Sequence, residues 1–230
     1  MRKIALFAVI CIFGVVLLSG CSTVPKMPIK LDPNFKSKNI DTIVLMPVVD
    51  RRIDKKSKVD FEKVLRIPAK KILEKKGYVV VMPGSFSDNS AITADNVGEM
   101  NIGELSNLGP MNERALLFIY VDDVLDDYIV LAYTYKIEAT GSLIEKRERI
   151  ELWRDKGIGK SGQGGLISGP LSSLYQYEAN SMCLNDMFCT LPASPVARQA
   201  QGRGMASAVS SEAARPMSTM PTAPSSTVSR

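Results

Sequence analysis

Two apolar, β-branched runs flank one amphipathic stretch in the first half of this chain, and that order dictates a parallel pair of strands. Residues 40–49 (IDTIVLMPVV), bounded by Asp50, Arg51 and Arg52, predict a buried strand. A helix is expected over residues 60–76, with Phe61, Val64, Leu65, Pro68, Ile72 and Leu73 along one face and lysines and glutamates opposite. Gly77 occupies the place of a helix-ending glycine, and Lys75 and Lys76 suit the negative end of the helix dipole. Pro68 removes a helical hydrogen bond, so a kink or a new segment is expected there. Residues 78–82 (YVVVM) supply a second strand, closed by Pro83 and Gly84. Strand, helix and strand at this spacing make a βαβ unit with a right-handed crossover.

Downstream, residues 86–110 are polar and broken by glycines. They predict one or two short helices, with Thr93 as a cap and Ile102 and Leu105 on the buried side. Residues 115–121 (ALLFIYV) read as a third strand, 122–127 as a turn, and 128–144 as a long fourth strand. In that strand Ile129, Leu131, Tyr133, Tyr135 and Ile137 share a face, and Val130, Ala132, Thr134, Lys136 and Glu138 share the other. A turn at 145–148 leads into a fifth strand, 149–156. The expected fold is therefore α/β: a βαβ start, an antiparallel three-strand run, and a mixed sheet with helices packed on it. Residues 157–169 (GIGKSGQGGLISG) read as a flexible loop, and 171–191 as a closing helix carrying Leu174, Ala179, Met182, Cys183, Met187 and Leu191. From Pro192 onward there is no lysine, aromatic residue, isoleucine or leucine. Such a segment buries too little apolar surface to offset chain entropy, and disorder is expected.

The absence of histidine decides much about chemistry. It removes Ser-His-Asp and Cys-His catalysis, histidine general bases and the commonest zinc sites. The formal charge of +5 falls to about +3 once Arg2 and Lys3 are discounted as part of an export signal, too mild to argue for nucleic acid. Cys183 and Cys189 fall six residues apart on the expected last helix, where the rise of about 9 Å exceeds the reach of a disulfide. Free thiols are expected.

Three motifs have plain readings. Gly159-Lys160-Ser161 suggests a phosphate-binding loop, but Arg154 stands where that pattern needs a glycine. Asp122, Asp123, Asp126 and Asp127 could supply oxygen ligands to a cation, yet they lack the spacing of a calcium loop and read as a charged hairpin end. Asp50, Arg51, Arg52 and Asp54 follow the first strand and read as a solvated loop; a ligand or partner surface is the alternative, because they lie at the carboxyl edge where α/β sheets take ligands. Trp153 is read as core packing.

At the amino terminus Arg2 and Lys3 precede an unbroken apolar run, residues 4–18, and then Leu18-Ser19-Gly20-Cys21. A basic start, an apolar middle and small residues before a cut site describe a secretory signal, and the run is shorter than the ~20 residues that span a bilayer. Its end resembles the lipobox of bacterial lipoproteins. That resemblance implies cleavage before Cys21, a diacylglycerol (typically palmitate-bearing) on its thiol, and acylation of the new amino group, an anchor far stronger than one chain. Cys21 is thus the expected lipid-attachment site. Ser22, where aspartate would retain such proteins at the inner membrane, implies the outer membrane but not which side of it; a domain facing the periplasm is the expectation. With Pro25, Pro28, Pro33 and four lysines, residues 21–39 read as an extended tether. The expected organisation is signal 1–20, tether 21–39, α/β domain 40–193 and disordered tail 194–230.

Several segments in order carry a wider likeness. They are Thr42-Ile43-Val44-Leu45-Met46-Pro47, Lys76-Gly77-Tyr78-Val79-Val80, Ile137-Glu138-Ala139, Glu151-Leu152-Trp153, the glycine stretch and Leu191-Pro192. Over residues 39–192 the chain resembles a family of small bacterial lipoproteins of the neisserial surface-antigen type. That family is similar in fold to the amino-terminal domain of the Tol-system propeller protein and to parts of the curli-export lipoprotein. The resemblance implies a binding or assembly module in envelope transport or secretion, with no established chemistry. Its expected partners are the membrane, an envelope protein such as another lipoprotein, and further copies of itself. No catalytic residue, cofactor, metal or nucleic acid is expected. The alternatives are an accessory regulator of cell-wall synthesis and a glycan-acting enzyme with two opposed carboxylates.

Overall fold

The computed structural model describes residues 26–55, 59–86, 92–129, 132–164 and 172–199. The export signal, Cys21 and residues 200–230 lie outside them. A mixed sheet of seven strands runs in the order β1 (Lys30–Leu31), β7 (Ile150–Gly164), β6 (Ala132–Glu145), β5 (Ala115–Ile129), β2 (Thr42–Leu45) and β4 (Val79–Val81), with β3 (Val49–Asp50) also pairing β5. The expected parallel pair is present: β2 (Thr42–Leu45) lies beside β4 (Val79–Val81). The first apolar run, however, forms two strands rather than one. After β2 it breaks and resumes as β3 (Val49–Asp50), both parallel to β5 (Ala115–Ile129). Pro47 has no N–H to give a ladder, and the Val48 N–H turns away to donate to Glu62 Oε1 at 2.7 Å.

Pro68 acts as expected. A wide π turn, Glu62–Arg66, precedes it, and the Ile67 N–H donates to the Glu62 carbonyl. Helix α1 proper (Ile67–Lys75) then starts with proline in its first turn, where no donor is missed. Gly77 ends it at φ +85°, a left-handed conformation suited to glycine.

Three antiparallel strands follow; the first and third are longer than their sequence suggests, and the middle one is shorter, with Tyr128 and Ile129 belonging to its predecessor. Residues 122–127 are no turn; they continue β5, with a bulge at Asp122 between the registers of Val121 and Asp123. Strands β6 (Ala132–Glu145) and β7 (Ile150–Gly164) pair along their length. Hence residues 157–164 are strand, not flexible loop. Gly157 and Gly159 face the helix near the end of the described chain, α4 (Ser172–Phe188). A Cβ on Gly157 would lie 2.1 Å from the Cys183 carbonyl oxygen, and one on Gly159 only 1.8 Å from that of Ala179. The glycines let helix backbone rest on strand backbone.

Helix α4 buries Ala179, Cys183, Leu184, Met187 and Phe188, while Leu174 and Met182 are exposed. Trp153 is fully buried and stacks on Phe188 at 5.9 Å. Tyr133, Tyr135 and Ile137 point to this same core, as their alternation predicts. Cys183 and Cys189 are both free, the first buried and the second exposed. Burial pushes the Cys183 thiol up to about 12.

The opposite sheet face carries two short helices, α2 (Ala94–Glu99) and α3 (Ile102–Leu105). Thr93 caps α2 as expected, and Asn101 caps α3 in a reciprocal box with Glu104. Val97 and Leu105 seal a second core against Val44, Leu116 and Phe118.

Both ends of the domain extend further than expected. Residues 26–39 are not a free tether. Phe35 is buried, β1 (Lys30–Leu31) pairs with β7, and Lys26 Nζ donates to the Asp186 carbonyl at 2.8 Å beside the Asp155 carboxylate at 3.3 Å. Asp155 is buried, and a buried carboxylate demands such a partner. At the other end Ser194 is buried, its N–H donating to the Lys76 carbonyl, and residues 195–199 are helical. Those six residues belong to the packed body rather than to a disordered tail.

Candidate binding cleft

The second helical layer stops at Leu105, before it covers β6 and β7. A cleft of about 770 Å³ remains between the end of that layer and the bare part of the sheet. Its floor is set by strand register. Tyr120 on β5 sits opposite Thr140 on β6, and Ser142 sits opposite Arg154 on β7.

A second bulge completes the floor. Leu143 pairs with Trp153 and Ile144 with Glu151, so Leu152 is an extra residue in β7. Leu152 and Trp153 therefore both enter the α4-side core. Glu151 and Arg154, which a regular strand would send to opposite faces, meet on the open face. Glu151 is 3% exposed and accepts from Ser142 Oγ at 2.6 Å and Arg154 Nε at 2.7 Å, with Lys30 Nζ at 3.4 Å.

Arg51 enters from the loop after β3. Its backbone N–H donates to the Val121 carbonyl, which fixes its position beside β5. Its guanidinium lies flat over the Tyr120 ring, 3.5 Å from the centroid, a cation–π contact. Tyr120 in turn stacks on Phe118. Burial pushes the Tyr120 hydroxyl up to about 12 against the pull of Arg51, so it stays protonated at neutral pH. Ile102 and Leu105 give the wall an apolar surface, and Ile29 of the amino-terminal strap closes the rim.

Of the cluster after the first strand, Arg51 alone lines this cleft. Asp50 and Arg52 pair with each other at 2.9 Å, and Arg52 is buried over Phe61. Burial opposes ionisation of Asp50, but the Arg52 hydrogen bonds outweigh it and hold the carboxyl below its usual range. Asp54 lines a separate hollow of about 640 Å³ with Asp122, Asp123 and Asp126. Asp122 accepts from Thr140 Oγ1, and among the described residues no group of three or more acidic or sulfur ligands is placed to hold a metal. Gly159-Lys160-Ser161 lies within β7, an extended strand rather than a loop before a helix. Cys21 lies outside the described residues. Tyr120, Ser142, Glu151 and Arg154 escape a reading of the sequence, because only the bulge at Leu152 brings the last two together.

No protein-family model matches the chain, and no curated protein matches it. Among solved structures it is similar to lipoprotein GNA1162 from Neisseria meningitidis, with 19% identity over 58% of this chain and 91% of that one and a TM-score of 0.40. It is similar to a PelC dodecamer from Paraburkholderia phytofirmans, with 15% identity over 73% and 96% and a TM-score of 0.40. The third is the LpoB C-terminal domain from Salmonella enterica, with 16% identity over 52% and 83% and a TM-score of 0.29. These likenesses describe a general course of the chain and assign it no ligand and no partner.

Proposed function

We propose that the chain is a lipid-anchored envelope lipoprotein, held at the outer membrane through Cys21 and facing the periplasm. Its body would serve as a non-enzymatic binding or assembly module in transport or secretion. The observation that carries the binding reading is the open cleft between α3 and β7. The cleft is concave, part apolar and part charged, the usual make-up of a ligand site. Its one carboxylate, Glu151, is already held by Ser142, Arg154 and Lys30. A general acid or base needs a free proton route, and a glycan-cleaving pair needs two opposed acids; Glu151 has neither. That favours recognition over catalysis.

The strap bears on the anchor. Lys26 is fastened to the body, and four residues, 22–25, lie between it and Cys21. The five steps from Cys21 to Lys26 span about 18 Å at most. A body tied that closely suits partners at the same membrane better than a synthase at the inner membrane, which disfavours the cell-wall regulator.

Mass spectrometry of the protein isolated from native membranes tests the anchor. The expected product begins at Cys21 and carries acyl chains, and Cys21→Ala is expected to release the protein from the membrane fraction. An intact leader, or a native product that partitions to the soluble phase, overturns the proposal.

A further inference from the structure

We infer that the cleft recognises a ligand through a single carboxylate, with Arg51 as the carboxylate-binding residue. The inference rests on the reading of this cleft as a binding site and names its ligand class.

The charge balance points there. Arg154 commits its Nε to Glu151, and Lys30 adds a second cation to the same carboxylate. Arg51 has no carboxylate partner among the described residues. The acids that line the adjoining groove are Asp50, Asp95 and Glu99; Asp50 is held by Arg52 at 2.9 Å and Asp95 by Lys55 at 2.7 Å. Stacking on Tyr120 uses the face of the guanidinium and leaves its in-plane N–H donors available. The ring also fixes the orientation of the group before any ligand arrives. A planar fork of parallel donors matches a carboxylate in bidentate geometry. Arg154 and Lys30 share the Glu151 carboxylate, so Arg51 is the cation here whose donors face no acid among the described residues, and one carboxylate satisfies its fork. Beside Arg51, the apolar side chains of Ile102 and Leu105 and the protonated Tyr120 hydroxyl offer a surface for the body of the ligand.

Titration calorimetry on the full-length processed protein in detergent tests this with glucuronate, its methyl ester and inorganic phosphate as probes. Glucuronate is expected to bind saturably, and the uncharged ester at least about tenfold more weakly. Arg51→Gln should weaken glucuronate binding by about tenfold or more, and Arg51→Lys should restore it only in part, because an ammonium lacks the fork. Both variants should melt with the parent protein, since Arg51 is exposed. Equal binding of acid and ester, tighter binding of phosphate, unchanged affinity in Arg51→Gln, or no binding of any probe up to about 20 mM overturns the inference. If that happens while crosslinking in native membranes still recovers one specific envelope partner, the ligand class alone falls. If no partner is recovered either, the binding-module reading falls with it.

Discussion

The two faces of the sheet are built from alternate residues of the same three long strands, yet one is sealed and the other is half open. On the sealed face Gly157 and Gly159 admit the backbone of α4, and Trp153, Tyr135 and Phe188 fill the space around it. On the open face α2 and α3 cover β2 and β5 but leave Thr140, Ser142, Glu151 and Arg154 to line a cleft. The lesson is one of side-chain size and charge. Where a helix must touch a strand, the strand gives up its side chains; where no layer arrives, it keeps polar ones and pairs them with each other.

The sharpest way to break this contrast is at Trp153. Trp153→Ala empties the centre of the sealed face and should cost about 3–5 kcal/mol, read as a fall in the urea midpoint at unchanged slope. A loss below 1 kcal/mol would mean that the face is not close-packed. A neighbouring pair of substitutions sharpens the contrast further. Gly159→Ala drives a methyl group against the α4 backbone and should cost about 1–3 kcal/mol, whereas Lys160→Ala, one residue on and facing outward, should stay within about 0.5 kcal/mol. Equal effects would refute the assigned alternation of β7.

Titration at high pH gives the smallest effect under ordinary conditions. Burial raises Cys183 from 9.0, and Tyr120 and Tyr135 from 10.0, each to about 12. The folded state thus keeps protons that the unfolded chain would release. Their contribution is fully present below about pH 9 and is lost as pH rises towards about 12. Stability measured across that window should decline, and a profile flat to pH 12 would contradict the burial of these groups. At pH 8 a maleimide should label Cys189 and spare Cys183 in the folded chain, as peptide mapping would show.

Parts of this architecture are legible in the residues. The β-branched runs around residues 42–45 and 79–81, with Gly77 between, carry the parallel pair because each apolar run can be buried in only one way. The alternation of Tyr133, Tyr135 and Ile137 carries the face of β6. The Asp-rich end of β5 and the glycine-rich end of β7 carry no such signal. Aspartate and glycine are poor strand formers, and these segments are strands because β6 pairs with both. Residues 26–39 look like a tether because the buried Phe35 and the Lys26 latch are isolated in the sequence, and Lys26 meets its partners more than a hundred residues away. In the cleft, the location of Arg51 after the first strand is readable, but its stacking on Tyr120 is not.

What the sequence by itself determined is which segments must be buried and which chemistries are closed to a chain without histidine, since both follow from residue type and local period. Only the tertiary structure decided that Glu151 and Arg154 share a face, that two glycines form a floor beneath a helix, and that one arginine is left over above a tyrosine. Those outcomes depend on a single extra residue in one strand and on where a helical layer happens to end. Both are settled by the packing of distant segments, which no local pattern records.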